Sequence, residues 1–213
     1  MTDNFIVIRD YMLTENIPLT EKESGDLFFE IMLIRRGKDH PDLPSANYTF
    51  KSYYIDSIEK YDKCVDEIKT CCRLFGLRAY VSVNVKSKEA FTKYMSYSIS
   101  ENIYKNDYKK PWKIMGHVYG KLGASNNDRW IVDIDDVSEN EGGHELVSKL
   151  FSLIRQCESR FDDPVITTIN TKSGIHIITH PFNLQRFNIL CGQHGFSAPD
   201  VKKNHITLLY ENL

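Results

Sequence analysis

The chain has 213 residues, 41% of them apolar and 12% aromatic, which suits one packed domain or two small intimate lobes. Its 27 Lys and Arg residues against 29 Asp and Glu residues give a formal charge of −2, which excludes a uniformly basic surface that binds nucleic acid by overall charge. No apolar run approaches the ~18 residues of a membrane span and the start carries no secretion signal, so we expect a soluble cytoplasmic protein without a membrane partner.

The first half is predicted to contain three strands and two helices. Residues 1–27 are polar and mixed, and indicate an arm or a short leading element. Apolar and helical spacings predict strands over 27–34, 48–55 and 78–84, and helices over 58–75 and from Ser87 onward. Asp56 is the expected N-cap of the first helix, and Gly76 its end.

Turn residues and broken periodicity between about 105 and 127 separate two lobes, 1–127 and 128–213, of a single domain spanning 1–213. The second lobe is predicted to have strands over 129–133, 165–170, 175–179 and 205–210, and helices over 143–157 and 183–191. This alternation predicts an α/β or α+β fold with mixed sheets.

Two acidic residues end an apolar strand of the second lobe. Asp133 and Asp135 are two positions apart, so both side chains leave one face of the strand while Ile134 points to the other. Two like charges this close repel each other unless a cation lies between them. The pattern indicates a Mg²⁺ or Mn²⁺ site, or a strand that simply runs into a solvated acidic turn.

A turn of small residues follows further along the chain. Its backbone N–H groups, the Ser173 hydroxyl, the Lys172 ammonium and the His176 ring are donors that suit a phosphate group. An ordinary hairpin turn would have the same composition, so both interpretations stay open. The basic segment 35–38 follows a predicted strand and also has two interpretations, a phosphate contact or a solvated turn.

A third acid, Asp200, precedes the predicted last strand. Taken in order, these patterns resemble the three motifs of the archaeo-eukaryotic primase superfamily, and in style the polymerase domains of bacterial end-joining ligases. The matching segments are Ile131-Val-Asp133-Ile-Asp135, Lys172-Ser173-Gly174-Ile175-His176, and Asp200 with Asn204, Thr207 and Tyr210. The resemblance covers residues 130–210, and the first half joins it only by the order of its strands and helices.

The resemblance implies nucleotidyl transfer with two metal ions, Mg²⁺ or Mn²⁺. Asp133, Asp135 and Asp200 would hold the ions, and Ser173 and His176 would bind the incoming triphosphate, with Lys172 as a further phosphate contact. The implied fold is α+β, with an RRM-like mixed or antiparallel sheet flanked by helices in the second lobe. We therefore expect the three carboxyl groups to converge within metal-bridging reach, with His176 facing the same cleft.

The net charge hides a strong asymmetry. Residues 69–121 carry a net charge of +8 with aromatic residues interleaved, whereas 128–145 carry −6. Basic groups that follow a backbone and aromatic rings that stack on bases suit a single strand or a template end. The residues expected to make this contact are Lys105, Lys109, Lys110, Trp112 and Lys113.

The predicted function is a metal-dependent nucleotidyltransferase that extends a nucleic-acid 3′ end or makes primers. Its partners would be a nucleoside triphosphate, a single strand or template-primer, and further replication proteins. Two alternatives remain open: a metal-dependent nuclease that uses the same acids, and a non-catalytic nucleic-acid or nucleotide-binding module in replication or defence. The five cysteines form no Cys-x-x-Cys pair, and with the small size they fit a bacterial or phage cytosolic protein.

Overall fold

The computed structural model describes residues 3–40, 47–108, 114, 118, 129–135 and 141–211, and it confirms the α+β class. The helices are α1 (Asn4–Thr14), α2 (Ile58–Phe75), α3 (Lys88–Tyr104), α4 (Glu141–Arg155) and α5 (Leu184–Gln193). The strands are β1 (Leu27–Arg36), β2 (Asn47–Ile55), β3 (Arg78–Ser82), β4 (Lys86–Ser87), β5 (Trp130–Asp135), β6 (Val165–Asn170), β7 (Gly174–Thr179), β8 (Asp200–Lys203) and β9 (Ile206–Glu211). Within the described residues, no helix combines the length and apolarity that crossing a bilayer requires.

The first sheet is antiparallel and has the strand order β2-β1-β3-β9, with the short β4 paired to the start of β1. Its core face is built from alternate residues of β1, since Phe29, Ile31 and Leu33 are fully buried. Ile8 of α1 and Ile68 of α2 pack into the same core. The side chains between these positions on β1 therefore face away from the two helices, and toward the end of the strand they reach the site described below.

The second sheet is also antiparallel, with the order β6-β7-β5-β8. Alternation along β5 divides its side chains between two cores: Val132 and Ile134 pack with α4 and α5, and Ile131 joins the core of the first sheet. The predicted alternation at the end of this strand is confirmed, because Asp133 and Asp135 line a cleft on the face opposite Ile134. The sheet thus carries polar chemistry on one face and apolar packing on the other.

The last strand joins the two halves of the chain. β9 pairs with β3, placing Thr207 opposite Val81 and Leu208 opposite Tyr80. The predicted division into lobes 1–127 and 128–213 therefore does not follow sheet membership. Without β9, the edge of β3 would expose a row of unpaired backbone N–H and C=O groups, and β9 covers it.

Three local predictions differ from the structure. Residues 1–27 are expected to be an arm or a short leading element, and residues 4–14 form the helix α1, which the Asp3 side chain caps. Ser57 caps α2 by accepting from a backbone N–H in the first turn, whereas Asp56 pairs with lysine side chains instead. The sequence predicts no strand between the last helix and the last strand, whereas Asp200 opens the strand β8 there.

A buried charged cluster lies where the end of α1 meets the start of β5. Arg129 Nε donates to Glu15 Oε1 at 2.8 Å, and Arg129 Nη1 donates to His180 Nδ1 at 3.0 Å. The His180 ring also stacks on Phe161, with ring centroids 3.7 Å apart. Burial, together with the positive charges of Arg129 and Arg160, lowers the pKa of His180 to about 4.

We expect the free energy of unfolding to fall as the pH is lowered from about 6.5 toward 4, because the unfolded His180 takes up a proton that the folded one does not. The contribution of His180 to the free energy of unfolding is complete above pH 6.5, the pKa of the unfolded state, and is lost as the pH falls toward 4. Urea unfolding across this pH window measures the slope. His180→Asn should flatten it, whereas His194→Asn, at the exposed end of α5, should keep it. Equal slopes for His180→Asn and the unmodified protein would contradict the prediction.

Candidate functional site

Three predicted site residues lie in one row across the second sheet. Asp133, in the central strand β5, is directly opposite His176 on β7 and directly opposite Asp200 on β8. Residues directly opposite each other in antiparallel neighbours project from the same face. Asp135 lies two residues further along β5, opposite Gly174, and extends this face toward the turn between β6 and β7. The strand register thus assembles residues from three separate sequence motifs.

This face opens into a cleft of about 520 Å³ between the two sheets. The predicted residues that line the cleft are Asp133, Asp135, Lys172, Ser173 and His176. Asp200 belongs to the same row, but its side chain is 72% exposed and lies outside the described lining of the cleft. The structure therefore brings five of the six predicted residues to one cavity and leaves the sixth beside it.

Lys202 is a site residue that the sequence analysis did not select. Its ammonium contacts Asp133 Oδ2 and lies 4.0 Å from Asp200 Oδ2. Burial alone would raise the pKa of Asp133, but the hydrogen bond from Lys202 and the neighbouring His176 hold it below its ordinary value. Asp133 is therefore ionised at neutral pH, with a lysine as its counter-ion.

His176 is held from both ring nitrogens. Its Nε2 lies 3.0 Å from Asp133 Oδ1, and its Nδ1 lies 2.9 Å from the Thr207 hydroxyl oxygen. Burial lowers the pKa of His176 below its ordinary value, and the nearby Lys202 acts in the same direction while Asp133 opposes it. A neutral ring satisfies both contacts when Nε2–H donates to Asp133 and Nδ1 accepts from Thr207. Strand β9 thereby fixes the orientation of a residue on the other sheet.

The turn between β6 and β7 presents Lys172 and Ser173 to the cleft. Its backbone is closed by the Thr171 N–H, which donates to the Gly174 carbonyl at 2.8 Å. Gly174 approaches β5 so closely that a Cβ atom there would lie 1.9 Å from the Ile134 carbonyl oxygen. This close backbone approach requires glycine, and it holds the turn against the acidic end of β5.

We expect Gly174→Ala to lower the free energy of unfolding by about 3 kcal/mol or more, at the upper end of the cost of overpacking. The obstructing atom belongs to the backbone, so no side chain can move aside, and β5 must separate from β7. Urea unfolding measures the change. Gly192→Ala on α5 is the matched control, because no atom lies within 4 Å of its added Cβ. An unchanged unfolding free energy for Gly174→Ala would show that this close approach is not needed.

The opposite wall of the cleft carries further cations. Arg36 and Lys38, from the segment whose role the sequence left open, line the cleft from the first sheet. Arg36 Nη1 donates to the Tyr80 hydroxyl at 3.1 Å, which orients the guanidinium group. Arg78 also lines the cleft, but it is paired with Asp39 at 2.6 Å. Cationic side chains from both sheets therefore face one cavity, an arrangement that suits a ligand with several phosphate groups.

The acidic row offers the ligand type that Mg²⁺ and Mn²⁺ prefer, because carboxylate oxygens are hard donors. Among the residues that the structure describes, however, no group of three His, Cys, Asp or Glu side chains is arranged to hold a metal ion. The Lys202 ammonium lies between Asp133 and Asp200 instead. The donor chemistry fits a divalent cation, and taking one up requires Lys202 to move.

The predicted nucleic-acid face is described only in part. Lys109, Lys110, Trp112 and Lys113 lie outside the described residues, and Lys105 is exposed and paired with Glu101 at 2.6 Å. Other basic residues of the stretch also pair with carboxylates, as in Lys69–Asp3, Arg78–Asp39, Lys88–Asp56 and Lys93–Glu89. The aromatic side chains that α3 and the residues after it expose are Tyr94, Tyr97, Tyr104 and Tyr108. Of these acids, Asp3, Asp39 and Asp56 lie outside residues 69–121, so their pairing offsets part of the local excess of positive charge, whereas Glu89 and Glu101 are already counted in it.

Comparison with protein-family models, with curated proteins and with solved structures finds no match to this chain.

Proposed function

We propose that this protein is a metal-dependent nucleotidyltransferase of the primase-polymerase type, which adds nucleotides to a nucleic-acid 3′ end or makes primers. The observation that carries the proposal is the row of Asp133, His176 and Asp200 on three adjacent strands. The three motifs are separate in sequence, and chance placement would scatter them over different faces and levels of the sheet. Here they share one face, opposite a cationic wall.

The residues of the cleft divide into two groups with different tasks. Asp133, Asp135 and Asp200 would hold Mg²⁺ or Mn²⁺, which when bound activates the attacking 3′-hydroxyl and neutralises the leaving pyrophosphate. Lys172 and Ser173 would bind the triphosphate from the turn, with charge and hydroxyl donors. His176 has both ring nitrogens engaged, by Asp133 and by Thr207 of β9, so it would bind a phosphate oxygen when one of these two contacts is released.

The cationic wall favours nucleotide transfer over strand cleavage. A nuclease uses its metal ions to activate water and has less need of a pocket for a triphosphate. Arg36, Lys38 and Lys172 line the same cleft as Asp133 and Asp135. A nucleoside triphosphate is therefore the substrate class that the charges support best, with a single strand or template-primer as the second substrate.

A reducing cytoplasm and replication proteins as partners belong to the same proposal. Cys64, Cys71, Cys72, Cys157 and Cys191 are all free thiols, as expected for a protein of the cytosol.

Incubation of the purified protein with labelled nucleotides, a template-primer and Mn²⁺ tests the proposal. We expect the primer to lengthen, and the lengthening to be lost in Asp133→Asn and in His176→Ala. Shortening of the labelled strand would establish the nuclease instead. A shift of a single strand without any reaction would establish the non-catalytic binding module.

A further inference from the structure

The ammonium group of Lys202 already places a positive charge between two of the three acids. It contacts Asp133 and lies 4.0 Å from Asp200 Oδ2. Lys202 is two positions after Asp200 on β8, on the same face of the sheet, and its side chain lines the cleft. The side chain is 31% exposed, so part of it faces solvent. A cation that belongs to the protein thus lies beside the two carboxylates.

We propose that Lys202 is a resident counter-ion, which competes with the divalent metal for Asp133 and transfers to the nucleotide phosphates when the metal binds. This inference rests on the proposed function, since it takes Asp133 as a metal ligand. The inference also predicts how the ligands bind: the metal ion enters together with the nucleotide and does not bind alone.

The charges within the cleft make the metal ion and the Lys202 ammonium compete for Asp133. A metal ion that binds Asp133 must displace the ammonium, and a displaced ammonium with no new partner stays close enough to repel the metal. A triphosphate bound in the cleft would supply that partner, because Lys202 and Lys172 both line it. Nucleotide binding therefore relieves the repulsion, and the two affinities are coupled by the same factor in both directions.

The coupling has a consequence for the resting protein. Lys202 and His176 together satisfy both oxygens of the Asp133 carboxylate. Metal ions that arrive alone find the carboxylate already occupied. The acidic centre therefore stays closed to free metal and to water activation until a nucleotide is present.

Mn²⁺ affinity provides the test, measured by the electron paramagnetic resonance signal of free Mn²⁺, with and without a non-hydrolysable nucleoside triphosphate analogue. Each titration is corrected with a protein-free sample, because the analogue itself binds Mn²⁺. Lys202→Gln should bind Mn²⁺ alone about tenfold more tightly than the unmodified protein, because a unit charge within a few ångströms is removed. The tightening caused by the analogue should shrink by the same factor. Lys202→Arg retains the charge and should bind Mn²⁺ as weakly as the unmodified protein.

Lys203→Gln is the matched control. It removes the same charge from the same strand, but the Lys203 ammonium lies 4.6 Å from the centre of the Trp130 ring, on the other face of the sheet. Its Mn²⁺ affinity should equal that of the unmodified protein. Circular dichroism of each variant checks that the fold is retained.

The possible failures are distinguishable. If Asp133→Asn loses Mn²⁺ binding while Lys202→Gln binds Mn²⁺ no more tightly than the unmodified protein, the role of Lys202 is refuted and the metal site stands. If neither the unmodified protein nor Lys202→Gln takes up Mn²⁺ even with the analogue present, the proposed function itself is refuted.

Discussion

Asp133→Asn should lower the rate of nucleotide incorporation by about 10³-fold or more, which corresponds to roughly 4 kcal/mol of lost transition-state stabilisation. Asp133 occupies the centre of the site, since β5 lies between β7 and β8 and its carboxylate meets both His176 and Lys202. Asparagine keeps the shape of the side chain but removes the charge that a metal ion requires. Primer extension with Mn²⁺ under single-turnover conditions measures the loss.

The substitution also has a structural cost, which the experiment must separate from the chemistry. Removing the carboxylate leaves Lys202 without its partner, and a charged hydrogen bond of this kind contributes about 1–3 kcal/mol. Activity is therefore compared at a temperature where urea unfolding shows the variant to be folded. Asp62→Asn, which breaks an exposed ion pair with Arg9, is the control and should retain full activity. Incorporation by folded Asp133→Asn within tenfold of the unmodified rate would remove Asp133 from the reaction.

The local part of the site could be predicted from the sequence, because it depends on strand periodicity alone. Two aspartates separated by one isoleucine at the end of an apolar strand must share a face, and the structure places them so. The turn that carries Lys172 and Ser173 was predictable for the same reason, since Gly174 and the alternating residues after it mark a turn and a strand. Helix α2 likewise follows from its spacing and from Gly76, which caps it in the left-handed conformation.

The rest depends on pairing between distant strands, and a single sequence does not determine which strands pair. The register of β8 against β5 places Lys202 between two acids, but nothing near Lys202 in the sequence distinguishes it from Lys203. Arg36 reaches the cleft because β1 lies in the other sheet, on the far wall. Strand β9 belongs to the first sheet, although β8, just before it in the chain, belongs to the second. This too depends on pairing with a distant strand, because β9 covers the edge of β3. The cationic wall and the counter-ion are therefore products of topology.

The missed first helix has a different cause. Its buried residues, Phe5, Ile8, Tyr11 and Met12, do recur at helical spacing. Exposed apolar residues lie between them, such as Ile6 at 57% exposure. In the sequence, the segment therefore reads as a short apolar run and its helical spacing is hard to recognise. The helix gains its stability from packing against the sheets rather than from its own sequence. Its C-terminal end also carries Glu15, the partner of a buried arginine at the start of β5.

Glu15→Leu should lower the free energy of unfolding by about 3–5 kcal/mol, because it removes the buried carboxylate that pairs with the Arg129 guanidinium. The two side chains are only 5% and 7% exposed, and Arg129 Nη2 lies 2.5 Å from Glu15 Oε1. Urea unfolding at neutral pH measures the loss. Asp62→Leu breaks the exposed pair with Arg9 and should cost about 1 kcal/mol or less. A cost for Glu15→Leu as small as that of the exposed pair would show that water reaches Arg129.

The double variant Glu15→Leu with Arg129→Met separates the value of the ion pair from the cost of breaking it. Burial raises the pKa of Glu15 above its ordinary value even though Arg129 opposes the shift, so the pair repays only part of the desolvation of the carboxylate. We therefore expect the double variant to recover most of the stability that Glu15→Leu loses, so that the two losses are far from additive in the double-mutant cycle. Additive losses would instead show that Arg129 acts mainly through its other contacts, such as that with His180. Because Arg129 directly precedes β5, recovery would also mean that the strand carrying Asp133 is positioned by packing and strand pairing rather than by this charge.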